Sequence, residues 1–538
     1  QRNQDTDNVT NKMVFKGNIE RITDRDIRIR LRASQQNTSV LPLDSCYAIE
    51  HDYMDTSFRS MYLGLSAFLS ANKDRRDLLL SQREPDFDTS FDARIAAASD
   101  DFSRITLKAQ AARDYFLLIG PPGTGKTSRA LRGMVEAFYR EGKQILLLSY
   151  TNRAVDEICK TLSVITPEID FIRIGSELSC DPPFRSRLIE NVLESCSTRR
   201  EVHARIERCR VFVGTVATFS SKTDMFRLKT FDVAIVDEAT QILEPQLLGL
   251  LCARNVAGNN AIGKFILIGD HKQLPAVVLQ SESQSEVCEE CLQSIGLYNL
   301  KDSLFERLYR TVSANHSSPT TQRFYDMLCR QGRMNVEVAR FPNHAFYGGL
   351  LEAVGLPHQQ GELVLAPGLE SDEFADVLVS RVAFLPSVPE FPSQSAKINH
   401  FEARLTARLA ASVYRQYEAS NSGFNSALTL GVITPYRSQI ALIKREIAAL
   451  GIPVLNDILV DTVERFQGSE RDVIIYSFCV NRTYQLKFLA NLTEEKGVWI
   501  DRKLNVALTR ARKQLFMTGV PHLLRQNPIY ADLLDTVL

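Results

Sequence analysis

The octet GPPGTGKT, running from Gly120 to Thr127, constrains this chain more than any other segment. It satisfies the spacing G-x-x-x-x-G-K-[ST], and it lies between an apolar run, YFLLI (115–119), and a stretch of helical periodicity, SRALRGMVEAFYREG. A glycine-rich turn in that setting points backbone N–H groups at a polyphosphate held against the start of a helix. Gly123 and Gly125 allow the turn, Lys126 reaches the terminal phosphates, and the Thr127 hydroxyl is suited to ligate Mg2+. Gly120, Pro121, Pro122, Thr124 and Ser128 complete the stretch expected to line the nucleotide. A ligand-free turn is the competing reading, and the full octet between strand and helix argues against it.

A nucleoside triphosphatase of this kind needs a carboxylate at the end of a neighbouring strand. VAIVDEATQ supplies Asp237 and Glu238 after an apolar run. Asp237 would hold Mg2+ through its water shell and Glu238 would polarise the attacking water; the plainer alternative is two acids capping the next helix. Hydrolysis also calls for cations against the charge on the γ-phosphate. Arg333 in RQGRMN and Arg510 in LNVALTRA are candidates, although either taken alone reads as readily as a surface arginine.

Around the octet, apolar runs alternate with helical periodicity, which predicts parallel α/β sheets. QILLLSY (144–150), VFVGTV (211–216), FDVAIVD (231–237) and FILIGD (265–270) make a first set. LTLGVIT (428–434), DVIIYSF (472–478) and KQLFMTG (513–519) make a second, so two α/β lobes are expected. The expected layout is a small β-barrel over 1–55, a helical stalk and linker over 56–100, a first lobe over 101–300 and a second over 301–538. Residues 156–208 read as a helical insertion, 351–400 as loop-rich, and DFDTSFD (86–92) as the linker. Composition adds exclusions. With 44% hydrophobic and 24% charged residues the chain is globular, and no apolar run approaches the roughly 18 residues needed to span a bilayer. Sparse, irregularly spaced cysteines, 10 in 538 residues, suit reduced thiols and an intracellular location, cytoplasmic, or nuclear in a eukaryote. CEEC (288–291) reads as an acidic loop with two free thiols, since no second pair stands near it to complete a metal site. Lys plus Arg and Asp plus Glu both total 64, so any surface for a polyanion must be local.

The ordered set GPPGTGKT, SYTNRAVD (149–156), VDEATQ (236–241), GDHKQLP (269–275), QGRM (331–334), TPYRSQ (434–439), TVERFQGSERDVIIYS (462–477) and LNVALTRAR (504–512) resembles superfamily 1 helicases. More narrowly, it is similar to the branch that includes the nonsense-mediated-decay RNA helicase and the eukaryotic nuclease-helicase of Okazaki-fragment processing. The likeness covers about residues 101–525. It implies two tandem RecA-like P-loop lobes with ATP in the cleft between them, preceded by a small N-terminal β-barrel and stalk. By the same resemblance Gln273 senses the γ-phosphate, Arg333 and Arg510 are cations from the second lobe, and Glu470 contacts the ribose. Thr151, Asn152, Gly214, Thr215, Pro435, Tyr436, Arg437 and Thr462 match strand-contacting motifs. The implied cofactors are ATP and Mg2+, and the implied partner is single-stranded nucleic acid, DNA more than RNA, tracked 5′ to 3′. A nuclease or other domain upstream of Gln1 is a further expectation, while a membrane partner is not.

Two departures fall on the adenine side. Gly332 stands where the family usually has a tyrosine that packs on the base, and the upstream glutamine expected near Ser103 is absent, Gln110 being the nearest. Poor discrimination among purine triphosphates is the expectation. A third departure, Glu464 in place of the usual aspartate, keeps the charge. The alternative function is an ATP-gated nucleic-acid clamp that hydrolyses ATP without separating strands, since the same motifs serve both.

Overall fold

The structure, a computed structural model, describes residues 17–31, 47, 49, 56–278, 280–314, 321–390, 396–420, 423–495 and 497–537. The chain divides into two units, Gln1–Arg59 and Ser60–Leu538. In the first, β1 (Gly17–Ile22) and β2 (Ile27–Leu31) form an antiparallel hairpin. Its TDRD turn closes as the residue types dictate: Asp26 N donates to the Thr23 hydroxyl at 3.0 Å, and Thr23 N donates to the Asp26 carbonyl at 2.8 Å. Most other positions of the barrel expected over 1–55 lie outside the described residues.

The second unit is mixed α/β with two parallel sheets. The first sheet takes β3 (Tyr115–Ile119), β4 (Ile145–Ser149), β5 (Phe171–Ile174), β6 (Val211–Thr215), β7 (Phe231–Asp237), β8 (Ile262–Gly269) and β9 (Tyr325–Met327). Their order is β5-β6-β4-β7-β8-β3-β9, every pairing parallel. Next come β10 (Arg330–Gln331) and β11 (Glu352–Ala353), a short parallel pair. The second sheet draws on β12 (Val382–Pro386), β13 (Leu430–Ile433), β14 (Leu459–Asp461) and β15 (Arg471–Ser477). The antiparallel hairpin of β16 (Leu492–Glu495) and β17 (Val498–Asp501) follows, and β18 (Ala511–Gly519) returns to the second sheet. The order there is β12-β18-β15-β13-β14, again all parallel.

The apolar runs behave as strands with helices on both faces should. In β3, Tyr115, Leu117 and Ile119 enter one core while Phe116 and Leu118 enter the opposite one. In β15, Tyr476 and Ile474 face one core, Val473 and Ile475 the other. This period of two, set by strand geometry, lets one continuous apolar run fill two layers.

Four expectations shift. The first lobe does not end at 300: Leu304, Phe305 and Leu308 are buried in the same core as β3, and β9 pairs with β3. The 156–208 insertion is not only helical, because FIRI supplies β5 at the rim of the sheet. Its Arg173 is buried against Asp156, an ion pair that hides a strand within a charged stretch. The stretch expected as a stalk holds the helices Thr56–Leu69 and Lys73–Leu79, and from Ser60 onward it packs on the first sheet's core. Arg75 Nη2 donates to the Ile262 and Gly263 carbonyls at 2.8 Å each, and a Cβ on Gly64 would sit 2.5 Å from the Pro245 carbonyl oxygen. Finally, 86–92 is no free linker: Asp88 caps the turn Thr89–Phe91, and Arg113 pairs with Asp86 and Asp88. No helix among the described residues is long and apolar enough to cross a membrane.

Candidate active site

β3 is buried along its whole length and delivers Gly120 to the C-terminal rim of the first sheet. Gly123 and Gly125 adopt φ +72° and +78°, a region that side chains disfavour. Gly123 is glycine for a second reason, since a Cβ there would lie 2.3 Å from Arg333 Cβ. The Thr124 hydroxyl donates to the Pro121 carbonyl at 2.8 Å and closes the loop. The helix then begins with a wide turn, in which Ala130 N donates to the Gly125 carbonyl at 3.0 Å, leaving earlier N–H groups at the loop.

Behind the loop, β7 ends in the acid pair. Lys126 Nζ lies 2.6 Å from Glu238 Oε1, and the Thr127 hydroxyl donates to Asp237 Oδ2 at 2.6 Å. Gln241 Nε2 donates to Glu238 Oε2 at 2.9 Å. Glu238 has φ +55°, a non-glycine left-handed conformation that costs on the order of 1–3 kcal/mol and persists where surrounding contacts fix it. Burial by itself would raise the Glu238 pKa, but the Lys126 ammonium, Gln241 and Arg510 together outweigh it and hold the carboxyl below its ordinary value. Burial likewise opposes charge on Lys126, and Glu238 with Asp237 reverses that, raising the lysine. Asp237 is raised, by burial first and by Glu238 next. A hydroxyl and a carboxylate oxygen this close are the hard oxygen donors that Mg2+ takes.

The second lobe completes the cleft. Arg510 Nη2 donates to Gln273 Oε1 at 3.1 Å, and Gln273 Nε2 to Asp270 Oδ2 at 2.7 Å. Arg333 Nε donates to Glu470 Oε2 at 2.6 Å, while Gly332 N donates to the Gly123 carbonyl at 2.8 Å. Burial lowers the Arg510 pKa to about 9, helped by the like charge of Arg333. On Glu470 burial is outweighed by Arg333, and the carboxyl sits below its ordinary value. Phosphate loop, Asp237, Glu238, Gln273, Arg333, Glu470 and Arg510 thus line a single cleft of about 1730 Å3.

Several residues join the site that motif reading did not single out. The Tyr347 hydroxyl donates to Asp270 Oδ2 at 2.7 Å, and Asn505 Nδ2 donates to the Tyr347 hydroxyl at 2.9 Å and the Lys272 carbonyl at 2.7 Å. Asp270 and Asn505 lie within the motifs GDHKQLP and LNVALTRA, whereas Tyr347 ends a helix, Val336–Tyr347, outside them. Glu495, at the tip of β16, had no such signal. It accepts from His271 Nε2 at 3.1 Å and Lys272 Nζ at 3.2 Å, and those partners overcome burial to hold it at about 2. Beneath this crossing Arg502 Nη2 meets Glu306 Oε1 at 2.5 Å.

At the other end of the cleft, Arg129 lies over the Phe102 ring at 4.2 Å. Leu356 and Val354 come within 3.3 and 3.4 Å of where a Gly332 Cβ would be. Gln110 is elsewhere, donating to Glu141 at 2.5 Å. The residues expected to contact a strand divide between the sheets. Thr151 caps the helix after β4, and Thr215 accepts from Thr218 N at 3.1 Å beyond Gly214 in β6. Asn152 opens the Thr151-capped helix. Pro435, Tyr436 and Arg437 follow β13, and Thr462 follows β14. Tyr436 accepts from Gln485 Nε2 at 3.2 Å; Arg437 is exposed.

Two family models, both described as AAA domain, match residues 300–522 and residues 98–207 with 185–281. The chain is 28% identical over 529 residues to the DNA replication ATP-dependent helicase/nuclease JHS1 of Arabidopsis thaliana, covering 95% of this chain and 36% of that protein. It is 28% identical over 531 residues to the DNA replication ATP-dependent helicase/nuclease DNA2 of Bos taurus, covering 92% and 45%. The chain therefore spans less than half the length of these relatives. Among solved structures, an arterivirus nonstructural protein 10 (helicase) in complex with DNA aligns with TM-score 0.37 and 14% identity over 78% of this chain and 63% of that one.

Proposed function

The chain belongs to the superfamily 1 helicases, in the branch of the nonsense-mediated-decay and nuclease-helicase enzymes, and from that membership we propose that it is an ATP-driven translocase and helicase on single-stranded DNA. The two parallel sheets are read as two RecA-like lobes with ATP bound between them. DNA is favoured over RNA because the relatives are named for DNA replication; a 5′-to-3′ direction is the expectation of the branch.

The observation that carries this reading is convergence. Residues from 121 to 510 that lie far apart in sequence line one cleft, with groups from both sheets facing the same space. Lys126 and Glu238 pair directly, 2.6 Å apart. A triphosphate offers Lys126 a stronger anion, which frees the Glu238 carboxylate, already held ionised, to take a proton as water attacks the γ-phosphoryl group. Thr127 and Asp237 would hold Mg2+, which would supply positive charge against the phosphates. Arg333 and Arg510 stand on the second lobe's side, where they stabilise the charge that develops on transfer. Gln273, bonded to Arg510 and Asp270, ties that cation to the first lobe, so that ATP turnover alters how the lobes sit and moves the strand.

Strand displacement on DNA and RNA duplexes carrying 5′ or 3′ single-stranded overhangs tests the proposal. ATP turnover is expected to rise with single strands, unwinding to require a 5′ overhang, and Lys126→Ala to abolish both. Turnover indifferent to every strand offered would overturn it.

A further inference from the structure

Residues 481–489, NRTYQLKFL, follow β15 and form two short turns, Thr483–Gln485 and Leu486–Leu489. Gln485, Leu486 and Leu489 are buried, yet Tyr484 and Phe488 between them are 55% and 65% exposed. Their rings meet edge to face, 6.5 Å between centroids. Lys487 is exposed too, and positions 484, 487 and 488 share one helical face. Two adjoining aromatic rings left in water while their neighbours pack inward form an apolar surface of the kind that meets a partner.

The segment is held in place. Gln485 Oε1 accepts from Asn481 N and Arg482 N, both at 2.9 Å. Gln485 Nε2 donates to the Ala396 carbonyl at 2.8 Å and the Tyr436 hydroxyl at 3.2 Å, and Asn481 Nδ2 donates to the Ile398 carbonyl at 2.7 Å. The aromatic pair is thereby fastened to Tyr436, with Arg437 exposed next in sequence, so it continues the surface that the helicase resemblance gives to the strand. The chain's formal charge is zero, so a strand has to be held by local contacts, and stacking on base faces is one such contact that needs no net charge.

Resting on the helicase reading, we propose that Tyr484 and Phe488, with Lys487 beside them, form a stacking platform for unpaired bases of the single strand, beyond the contacts at Tyr436 and Arg437. The rings hold the base faces irrespective of sequence, and the lysine lies near the backbone phosphates.

The test compares an oligo(dT) strand with one of equal length carrying abasic sites, by anisotropy, for the wild-type chain, a Tyr484→Ala/Phe488→Ala double variant and Tyr484→Phe. The double variant should bind oligo(dT) roughly tenfold or more weakly, the loss expected when base stacking on aromatic rings is removed. It should bind the abasic strand as wild type does, and its strand-free ATP turnover should be unchanged. Tyr484→Phe should retain oligo(dT) binding. Equal weakening on both strands overturns the platform, as does undiminished oligo(dT) binding. A dimer in sedimentation that the double variant dissolves, with strand binding intact, overturns it in favour of a second copy of the chain. A wild-type chain that binds neither strand overturns the helicase reading as well.

Discussion

Both parallel sheets end their strands on a C-terminal rim, and the two rims bury carboxyl groups under opposite conditions. On the first, Glu238 faces the Lys126 ammonium at 2.6 Å and is held below its ordinary pKa despite burial. On the second, Glu402 is fully buried and accepts from the Ser387 hydroxyl at 2.9 Å, the Ser477 hydroxyl at 2.7 Å and Cys479 N at 2.9 Å. No ion-pair partner faces it among the described residues, and burial pushes it to about 7. The hydrogen bonds favour the charged form but do not match desolvation. Burial of the carboxyl is common to both rims, so the facing cation decides whether the acid is ionised and chemically useful or neutral and structural. Beside Glu402 the second rim is built of amides: Asn399 N donates to Gln439 Oε1 at 2.9 Å, and Asn399 Nδ2 to Asn481 Oδ1 at 2.9 Å.

The sharpest way to test the contrast is to remove a cation from the chemical side. Arg510→Ala is expected to cut strand-stimulated ATP turnover by about 10³ or more, the scale of an arginine acting on the transferring phosphoryl group. Affinity for a non-hydrolysable ATP analogue should change much less. Unchanged turnover would take Arg510 out of that role and leave its bond to Gln273 as a fastening between lobes.

A smaller effect is expected on the structural side. The folded-state pKa of Glu402, about 7, lies above the ordinary 4.5, so the folded chain keeps a proton that the unfolded chain has lost. The stabilising contribution is full below the unfolded value and is lost as pH rises through 7, roughly 3 kcal/mol at 1.36 kcal/mol per pKa unit. Glu402→Gln can still accept from Ser477 and Cys479 and donate to Ser387. It should match wild type near pH 5 and melt several degrees higher at pH 8. Parallel melting profiles for the two chains across that range would mean that Glu402 is not neutral in the fold.

How much of this was legible in the sequence follows the range of the interactions involved. The phosphate loop is local chemistry: Gly123, Gly125, Lys126 and Thr127 are set by the strand-and-turn context of residues 115–127. Asp237 and Glu238 were visible because an apolar strand announces its own end. The first lobe's limit was not, since β9 has three residues and is a strand only because β3 is beside it. Arg173 concealed β5, its ion pair with Asp156 existing only in the fold. Glu495 reaches His271 across 224 positions, and no spacing rule foretells such a contact. Asn505 sat inside a recognised motif, but its bond to Tyr347 depends on how two helices meet.

The least effect is expected at the base end of the cleft, where neither rim supplies charge chemistry. Gly332 brings no ring, and Gln110 is bonded to Glu141 outside the cleft lining. Beside the acids Asp100 and Asp101, the flat and apolar groups there are the Phe102 ring under Arg129 and the side chains of Val354 and Leu356. Stacking and apolar contact recognise a flat purine but not its edge, and contacts of that sort separate analogues far less than a buried hydrogen bond does. The expected ratio of kcat/KM for ATP over GTP is accordingly within about tenfold. Phe102→Ala should raise KM for both purine triphosphates alike, because what it removes is common to them. A hundredfold preference for ATP would mean that an edge contact exists, and the acids at this end of the cleft, Asp100 and Asp101, would be the first place to look for it, since a carboxylate there can accept from an exocyclic amine.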